Sequence, residues 1–541
     1  MAQPNILLVM TDQERYPPPY ETAEAAAYRR DRLPGRQRLR ESGVELHRHY
    51  VASTACVPSR ASLFTGQYPT LHGVRQTDGL AKSALDPAMM WLDPDTVPTM
   101  GDWFRAAGYR TEYRGKWHIA HADLPVAGTH VGLSTNDRDG SLRPEQIAAY
   151  RGADRLSPFG FSGWIGREPH GADPGDAGYV RDDLFADQVR ELFGTLADDR
   201  AQPWLAVASL VNPHDIAFSG AGWQFFGFPE PDDSVPDPGV APSQTDSFAG
   251  RPSCHEEYLS AWTAMLYEQA ADDAYRRFYL WLHEIVDRAI ERIVDGLHAT
   301  GMADDTIIVF TSDHGELLGA HGGLQQKWYN AFDETVRVPM TVCGPGIPAG
   351  GVGVDVPTSH VDVLPTLLGL AGIDAEGIAA AVGAQHTETQ TLPGRDLSTV
   401  VRSGAADSLE RAPVYFMTED QISRGQRTVN QLTQKPYDPV GEPANVESVV
   451  ASLANGDGAD GLWKLNHYYE RLEEWEESVE LAPDPDGADA APSEWELHDL
   501  TNDPEERRNL ADDPGAPIEQ LRAILTRART ESRRTPTVTN A

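Results

Sequence analysis

The stretch Cys56-Val57-Pro58-Ser59-Arg60-Ala61-Ser62-Leu63-Phe64-Thr65-Gly66 is the one around which this 541-residue chain is organised. Pro58 presets the backbone for a first helical turn, and the run beyond it is compatible with a helix that stops at Thr65-Gly66. Cys56 then lies at the mouth of a helix N-terminus, where backbone N–H groups and the helix dipole favour negative charge. Arg60 falls one turn further on and can point back at the same spot. A lone cysteine in such a loop reads as a small buried hydrophobe. An oxidisable side chain beside a proline, a hydroxyl and an arginine reads as a prepared anion site.

Working outward, several strand-like runs, most of them apolar, end in chemically useful residues. Asn5 to Met10 runs into Thr11-Asp12-Gln13, and Tyr109 to Tyr113 into Gly115-Lys116-Trp117-His118. Pro203 to Val211 runs into Asn212-Pro213-His214-Asp215, and Thr306 to Phe310 into Thr311-Ser312-Asp313-His314-Gly315-Glu316. Continuous apolar runs fit strands buried on both faces of a parallel sheet. Open α/β sheets place their ligands at the carboxyl ends of such strands. Lys116 and His118, two apart, point to the same side. Lysine is scarce: only Lys82, Lys116, Lys327, Lys435 and Lys464 occur, so 40 of the 45 basic residues are arginine. Where a lysine is kept, a compact point charge with three donors is expected to be needed.

The run from Cys56 to Gly66 resembles the type I sulfatase signature C-x-P-S-R-x-x-x-x-T-G at every fixed position. Gly108-Tyr-Arg-Thr-x-x-x-Gly-Lys-Trp-His118 resembles the second signature of that family, a branch of the alkaline phosphatase superfamily. The resemblance continues through Ser312-Asp-His-Gly-Glu316, through Lys327 with the Glu334-to-Pro339 segment, and into the stretch from Asp499 to Leu510. It implies that Cys56 is oxidised to formylglycine by a formylglycine-generating enzyme, and that the hydrated aldehyde is the nucleophile. It implies a divalent metal, calcium first with manganese or magnesium as alternatives, held by Asp12, Gln13, the modified Cys56, Asp313 and His314. Gln13 departs from the usual second Asp and brings one charge fewer. Arg60, Lys116 and Lys327 are implied to hold sulfate oxygens, and His118 to take the proton of the second aldehyde-hydrate hydroxyl. His214 or Lys327 is implied to protonate the leaving alcohol, and His321 to lie near the substrate. His72 and Gly73 are implied to continue the active-site side.

The implied fold is α/β: a large, mostly parallel, alkaline phosphatase-like sheet flanked by helices over 1–412. A smaller α+β domain with a short antiparallel sheet and a terminal helix is expected over 413–541. Residues 119–180 and 218–252 read as long loops over the active-site face, and 433–460 as a flexible excursion rich in Pro, Gly, Asn and Asp. Pro483 to Pro492 reads as a low-complexity loop. Glu256 to Thr300 reads as two helices or one broken helix. Three cysteines do not make a disulfide framework, and Cys254 and Cys343 read as inert thiols.

With 45 basic against 82 acidic residues the formal charge is -37. That disfavours nucleic acid and anionic membranes as partners. It also demands a locally positive pocket if the substrate is an anion. No apolar run approaches the roughly 20 residues of a membrane helix. The start, Met1-Ala-Gln-Pro-Asn-Ile6, has no basic n-region and leads to the expectation of a cytoplasmic protein. Two rivals to a sulfate ester hydrolase follow from the same residues. Gln13 and His314 suit a phosphonate monoester or phosphodiester hydrolase of the same superfamily, whereas Lys116 with His118 does not. A non-catalytic anion-binding protein would need no such pair of histidines as His118 and His214. The organic group and the oligomeric state are not written in these motifs.

Overall fold

The computed structural model describes residues 3–169, 173–406, 412–454, 460–470 and 492–537. Its centre is a seven-stranded sheet. In spatial order the strands are Arg110–Gly115, Trp204–Pro213, Asn5–Asp12, Thr306–Ser312, Met340–Cys343, Gly43–Leu46 and Val352–Val354. The first four are mutually parallel. Met340–Cys343 runs antiparallel to both of its neighbours.

The alternation of buried side chains explains the apolar runs. Ile6, Leu8 and Met10 face one layer with Val57, Ala61, Phe64 and Leu364. Leu7 and Val9 face the other, with Phe185, Val189, Ile290 and Val294. The first layer holds the helices Cys56–Thr65, Met100–Ala106 and Val363–Ala371. The second holds Gly178–Asp198 and Asp273–Ala299. Each central strand is therefore covered on both faces, as a mostly parallel sheet requires.

A four-stranded antiparallel sheet follows, in the order Val414–Thr418, Asn445–Ala454, Asp460–Tyr469, Glu494–Asp499. One face packs on the terminal helix Ile518–Ser532 through Tyr415, Val449, Leu465, Leu521 and Leu525. The other face shares a core with the main body: Phe416, Val446 and Tyr468 cluster with Tyr258, Trp262 and Trp328.

Two expectations need correction. Asn445–Ala454 lies inside the stretch read as a flexible excursion, yet it is a ten-residue strand with seven consecutive buried positions. The breakers around it masked the valines Val446, Val449 and Val450. Pro144–Ala153 forms a helix within 119–180; only Tyr150 is buried on it, so it offers no apolar stripe to read. The Glu256-to-Thr300 segment is indeed two helices, Ser253–Met265 and Asp273–Ala299. Of the Pro483-to-Pro492 loop, all but the last residue lie outside the described residues. Among the described residues no single helix is long and apolar enough to cross a membrane.

Candidate active site

Two adjacent strand ends and one helix start meet at a point. Asp12 closes the Asn5–Asp12 strand, and Asp313 and His314 follow its neighbour Thr306–Ser312. The Gln13 N–H donates to Asp313 Oδ1 at 3.1 Å and ties the two ends together. Cys56 is the first residue of the Cys56–Thr65 helix. That helix stops at Gly66, whose φ of +63° suits a residue without a Cβ. Cys56 Sγ lies 3.0 Å from His314 Nε2 and 3.8 Å from Asp12 Oδ1.

Asp12, Cys56, Asp313 and His314 each offer one ligand atom, and these atoms all lie within 4.8 Å of one another. All four residues are buried. His314 Nδ1 donates to the Gly315 carbonyl at 2.9 Å, which leaves the Nε2 lone pair directed at the cluster. Burial, with the Lys327 charge, holds the His314 imidazole below its ordinary pKa against the pull of Asp313 and Asp12. A neutral imidazole is the form that ligates a metal. Two carboxylates, an imidazole nitrogen and the oxidisable side chain of Cys56 make a donor set that fits a divalent cation. The thiol stands where the formylglycine side chain would present its oxygens.

The cations around this cluster answer the problem posed by the net charge. Arg60 is fully buried, and its guanidinium is committed to the protein. Nε meets Asp313 at 2.7 Å and Nη2 meets Asp12 at 3.0 Å. Nη1 reaches the Lys116 carbonyl and Ser209 Oγ, both at 2.9 Å. Arg60 thus braces the two carboxylates. Lys116 Nζ is 2.6 Å from Asp12 Oδ2. Its position depends on Gly115, where a Cβ would sit 1.8 Å from the Ser209 carbonyl oxygen. Burial alone would raise Asp12, but Lys116 foremost and then Arg60 hold it well below the usual carboxylate range. Lys327 Nζ donates to Gln13 Oε1 at 2.8 Å and lies over the Trp328 ring. Three cations, Arg60, Lys116 and Lys327, therefore gather around the cluster within an acidic chain.

Not every residue singled out in the sequence joins the cluster. The Gln13 carbonyl is given to Lys327, and its amide nitrogen donates to Glu316 and Gln326, so Gln13 carries the strand end over to Lys327. His214 follows the Trp204–Pro213 strand and is half-buried. Burial and then the Lys116 charge push its imidazole well below the ordinary value. His321 is buried, with its ring stacked 3.6 Å from Phe332 and Nε2 3.1 Å from Glu334. These contacts engage His321 with protein groups and do not bring it to the four-residue cluster. His72 is likewise engaged, its Nε2 bonded to Ser62 Oγ at 3.0 Å. Sequence reasoning missed Asp78, whose Oδ1 lies 2.8 Å from His118 Nε2. It lies in a loop with no periodicity, and only the fold brings it to that histidine.

The family model described as Sulfatase matches residues 4–373. The chain belongs to the sulfatase family. It is similar to the choline-sulfatase of Rhizobium meliloti (strain 1021), with 28% identity over 397 residues, 70% of this chain and 69% of that protein. It is 27% identical over 389 residues to the ulvan-active sulfatase of Formosa agariphila, covering 69% of this chain and 62% of that protein. In fold it resembles a 2-O GAG sulfatase, with a TM-score of 0.63 at 19% identity over 98% of this chain and 92% of the other. It also resembles a phosphonate monoester hydrolase from Silicibacter pomeroyi, with a TM-score of 0.60 at 21% identity over 98% and 96%. The sulfatase assignment makes the chain a sulfuric ester hydrolase with an alkaline phosphatase-like fold, and the cluster at Cys56 is a site able to hold the family's divalent metal.

Proposed function

We propose that the enzyme cleaves a sulfate ester to an alcohol and inorganic sulfate after Cys56 has been converted to formylglycine. The observation that carries this is the placement of Cys56 Sγ 3.0 Å from His314 Nε2, inside a four-donor cluster braced by Arg60 and flanked by Lys116. Formylglycine would supply a hydrated aldehyde whose hydroxyl attacks sulfur, and whose second hydroxyl lets sulfate leave with return of the aldehyde. A divalent cation held by Asp12, Asp313, His314 and the oxidised Cys56 would polarise the ester oxygens and lower the pKa of the attacking hydroxyl.

The remaining chemistry falls to the chain's own side chains. Lys116 and Lys327 hold sulfuryl oxygens as charge builds on them. Arg60 braces Asp12 and Asp313 together. Asp78 orients His118, which takes the proton of the second hydroxyl, and His214 or Lys327 gives a proton to the leaving alcohol. We assign calcium to the site because two carboxylates favour a hard cation; His314 also admits manganese. The substrate class we assign is a small or sugar sulfate ester. A similar fold is that of a protein solved with its substrate D-glucosamine-2-N,6-O-disulfate. A cytoplasmic location and a catalytic domain ending near residue 412 complete the proposal.

Gln13 and His314, with the fold likeness to phosphonate monoester hydrolases, favour a second reading as a phosphonate monoesterase. The test is a ratio. Enzyme produced with a formylglycine-generating enzyme is assayed for kcat/KM on an aryl sulfate and on an aryl phosphonate monoester. A ratio well above one for sulfate is expected. A ratio favouring phosphonate would make Gln13 and His314 the better guides.

A further inference from the structure

Three segments that carry the site hang on one carboxylate. Asp420 lies just past the Val414–Thr418 strand, beyond residue 373 where the family match ends, and is 3% exposed. Asp420 Oδ2 accepts the Ala55 N–H at 3.2 Å and the Trp328 indole N–H at 3.0 Å. Oδ1 accepts the Thr77 N–H at 3.0 Å. Each donor is next in sequence to a working group. Ala55 precedes Cys56. Thr77 precedes Asp78, which holds His118. Trp328 follows Lys327, which is held by Gln13.

The residues around Asp420 reinforce the same connection. Thr418 Oγ1 donates to the Thr54 carbonyl. Gln76 Nε2 donates to the Glu419 carbonyl at 2.7 Å, and the Gln421 N–H returns a bond to Gln76 Oε1 at 3.1 Å. Arg75 pairs with Glu419 at 3.3 Å. Lys82 donates to the Gln421 and Arg424 carbonyls and places its charge toward Asp420 and Asp78. Residues 418–421 therefore form a strap laid across 54–55 and 75–77.

We propose that Asp420 is a positioning residue. Acting through Ala55, Thr77 and Trp328, it fixes the distances between the Cys56 nucleophile, the Asp78–His118 pair and Lys327. The antiparallel sheet is thereby part of the catalytic unit. The proposal rests on the ester-hydrolysis reading above. The Asp420 side chain offers two acceptor oxygens to three N–H donors, whereas an asparagine offers one oxygen and turns an NH2 toward one of those donors. A misplacement of about 1 Å between reacting groups can cost about 100-fold in rate.

The test uses the full chain, with formylglycine content matched by mass spectrometry. Asp420→Asn is compared with the parent on whichever aryl ester, sulfate or phosphonate, the parent hydrolyses faster. Expected are a fall in kcat of about tenfold or more, KM within about threefold, and a thermal midpoint near the parent's. Asp78→Asn should add less than its own factor in the Asp420→Asn background. Hydrogen exchange supplies a readout independent of any substrate. Peptides spanning 54–60 and 75–80 should both exchange faster in Asp420→Asn, and in Trp328→Phe the 54–60 peptide should do so to a smaller degree. Unchanged protection in both peptides of Asp420→Asn, a kcat within twofold of the parent, or full multiplication of the Asp78 and Asp420 factors overturns the proposal. A parent inactive on both esters, with the exchange changes present, sinks the reaction reading and leaves the strap standing.

Discussion

Asp12 and Glu447 are both fully buried carboxylates held between cations, and they differ in how their oxygens are filled. Glu447, on the Asn445–Ala454 strand, takes His467 Nδ1 at 2.9 Å, Arg529 on both oxygens, Arg533 at 3.0 Å and the Tyr415 hydroxyl at 2.8 Å. Every acceptor site on it is filled by protein. Burial would raise it, yet Arg533, His467 and Arg529 hold it far below the usual carboxylate range. Among the described residues Asp12 is served on Oδ2 by Lys116 and Arg60. Its Oδ1 faces the weak Cys56 thiol donor and a His314 nitrogen 3.7 Å away. The difference separates a joint from a site. A cluster whose valences close on themselves holds elements together, whereas one that leaves a carboxylate oxygen and an imidazole lone pair converging on a point is built for something else to enter.

The largest effect expected from this contrast is at Cys56. Cys56→Ala should abolish turnover, a loss of at least about 10³-fold, while leaving the unfolding midpoint close to the parent's. Cys56→Ser should stop after forming an intermediate that cannot collapse back to an aldehyde. Steady-state assay and urea unfolding on the same preparations check both halves. Multiple turnovers by Cys56→Ser at the parent rate would remove the formylglycine scheme.

Glu447→Gln should show the reverse pattern. Losing one partner of a buried ion cluster typically costs about 3–5 kcal/mol, because Arg529 and Arg533 are left without their counter-charge. Activity per folded molecule should stay within about twofold of the parent. The check is a denaturant midpoint measured beside kcat. A tenfold fall in kcat with an unchanged midpoint would erase the distinction drawn between the two clusters.

The catalytic half of this comparison was largely legible in the sequence, and the joint half was not. Asp12, His214 and Asp313 each stand at the end of an apolar run and Lys116 at the end of a more polar strand, and chemistry at the end of a buried strand is a local pattern. The scarce lysines were informative for the same reason. Lys82, Lys116, Lys327 and Lys464 are all buried, and Lys464 serves the Ala331 carbonyl, Asp333 and Glu506 together. Asp78, Asp420 and Glu447 leave no such trace. Each owes its role to donors far away in the chain: Asp420 meets Ala55 across 365 positions and Glu447 meets Arg529 across 82. Hydrophobic periodicity reports which side of an element is covered, and it does not report which polar groups will face each other across two elements. Arg60 shows the same limit from the other side. The signature predicts its presence at the site, and only the structure reveals that its donors are spent on Asp12, Asp313, Ser209 and the Lys116 carbonyl.

Glu334 offers the smallest and sharpest probe, because its cluster contains the histidine that the sequence placed near substrate. Glu334 is buried and accepts from the Tyr20 hydroxyl at 2.9 Å, with His321 Nε2 at 3.1 Å. Burial would raise its pKa, but His321 and Arg15 outweigh it and lower the carboxyl to about 2. A carboxyl depressed on folding contributes stability that is present above its unfolded value, near 4.5, and is lost as pH falls toward about 2. The difference is worth on the order of 3 kcal/mol. The gap in unfolding free energy between the parent and Glu334→Gln should therefore shrink as pH falls below about pH 4.5. Urea midpoints taken at half-unit steps of pH measure it, and a gap that widens on acidification would mean that Glu334 is not held by cations. His321→Gln should lower stability while leaving KM for the ester within about twofold, as a buried ring stacked on Phe332 has no face to offer a substrate. A tenfold rise in KM at unchanged stability would instead move His321, and Glu334 with it, from the joints of the molecule to its site.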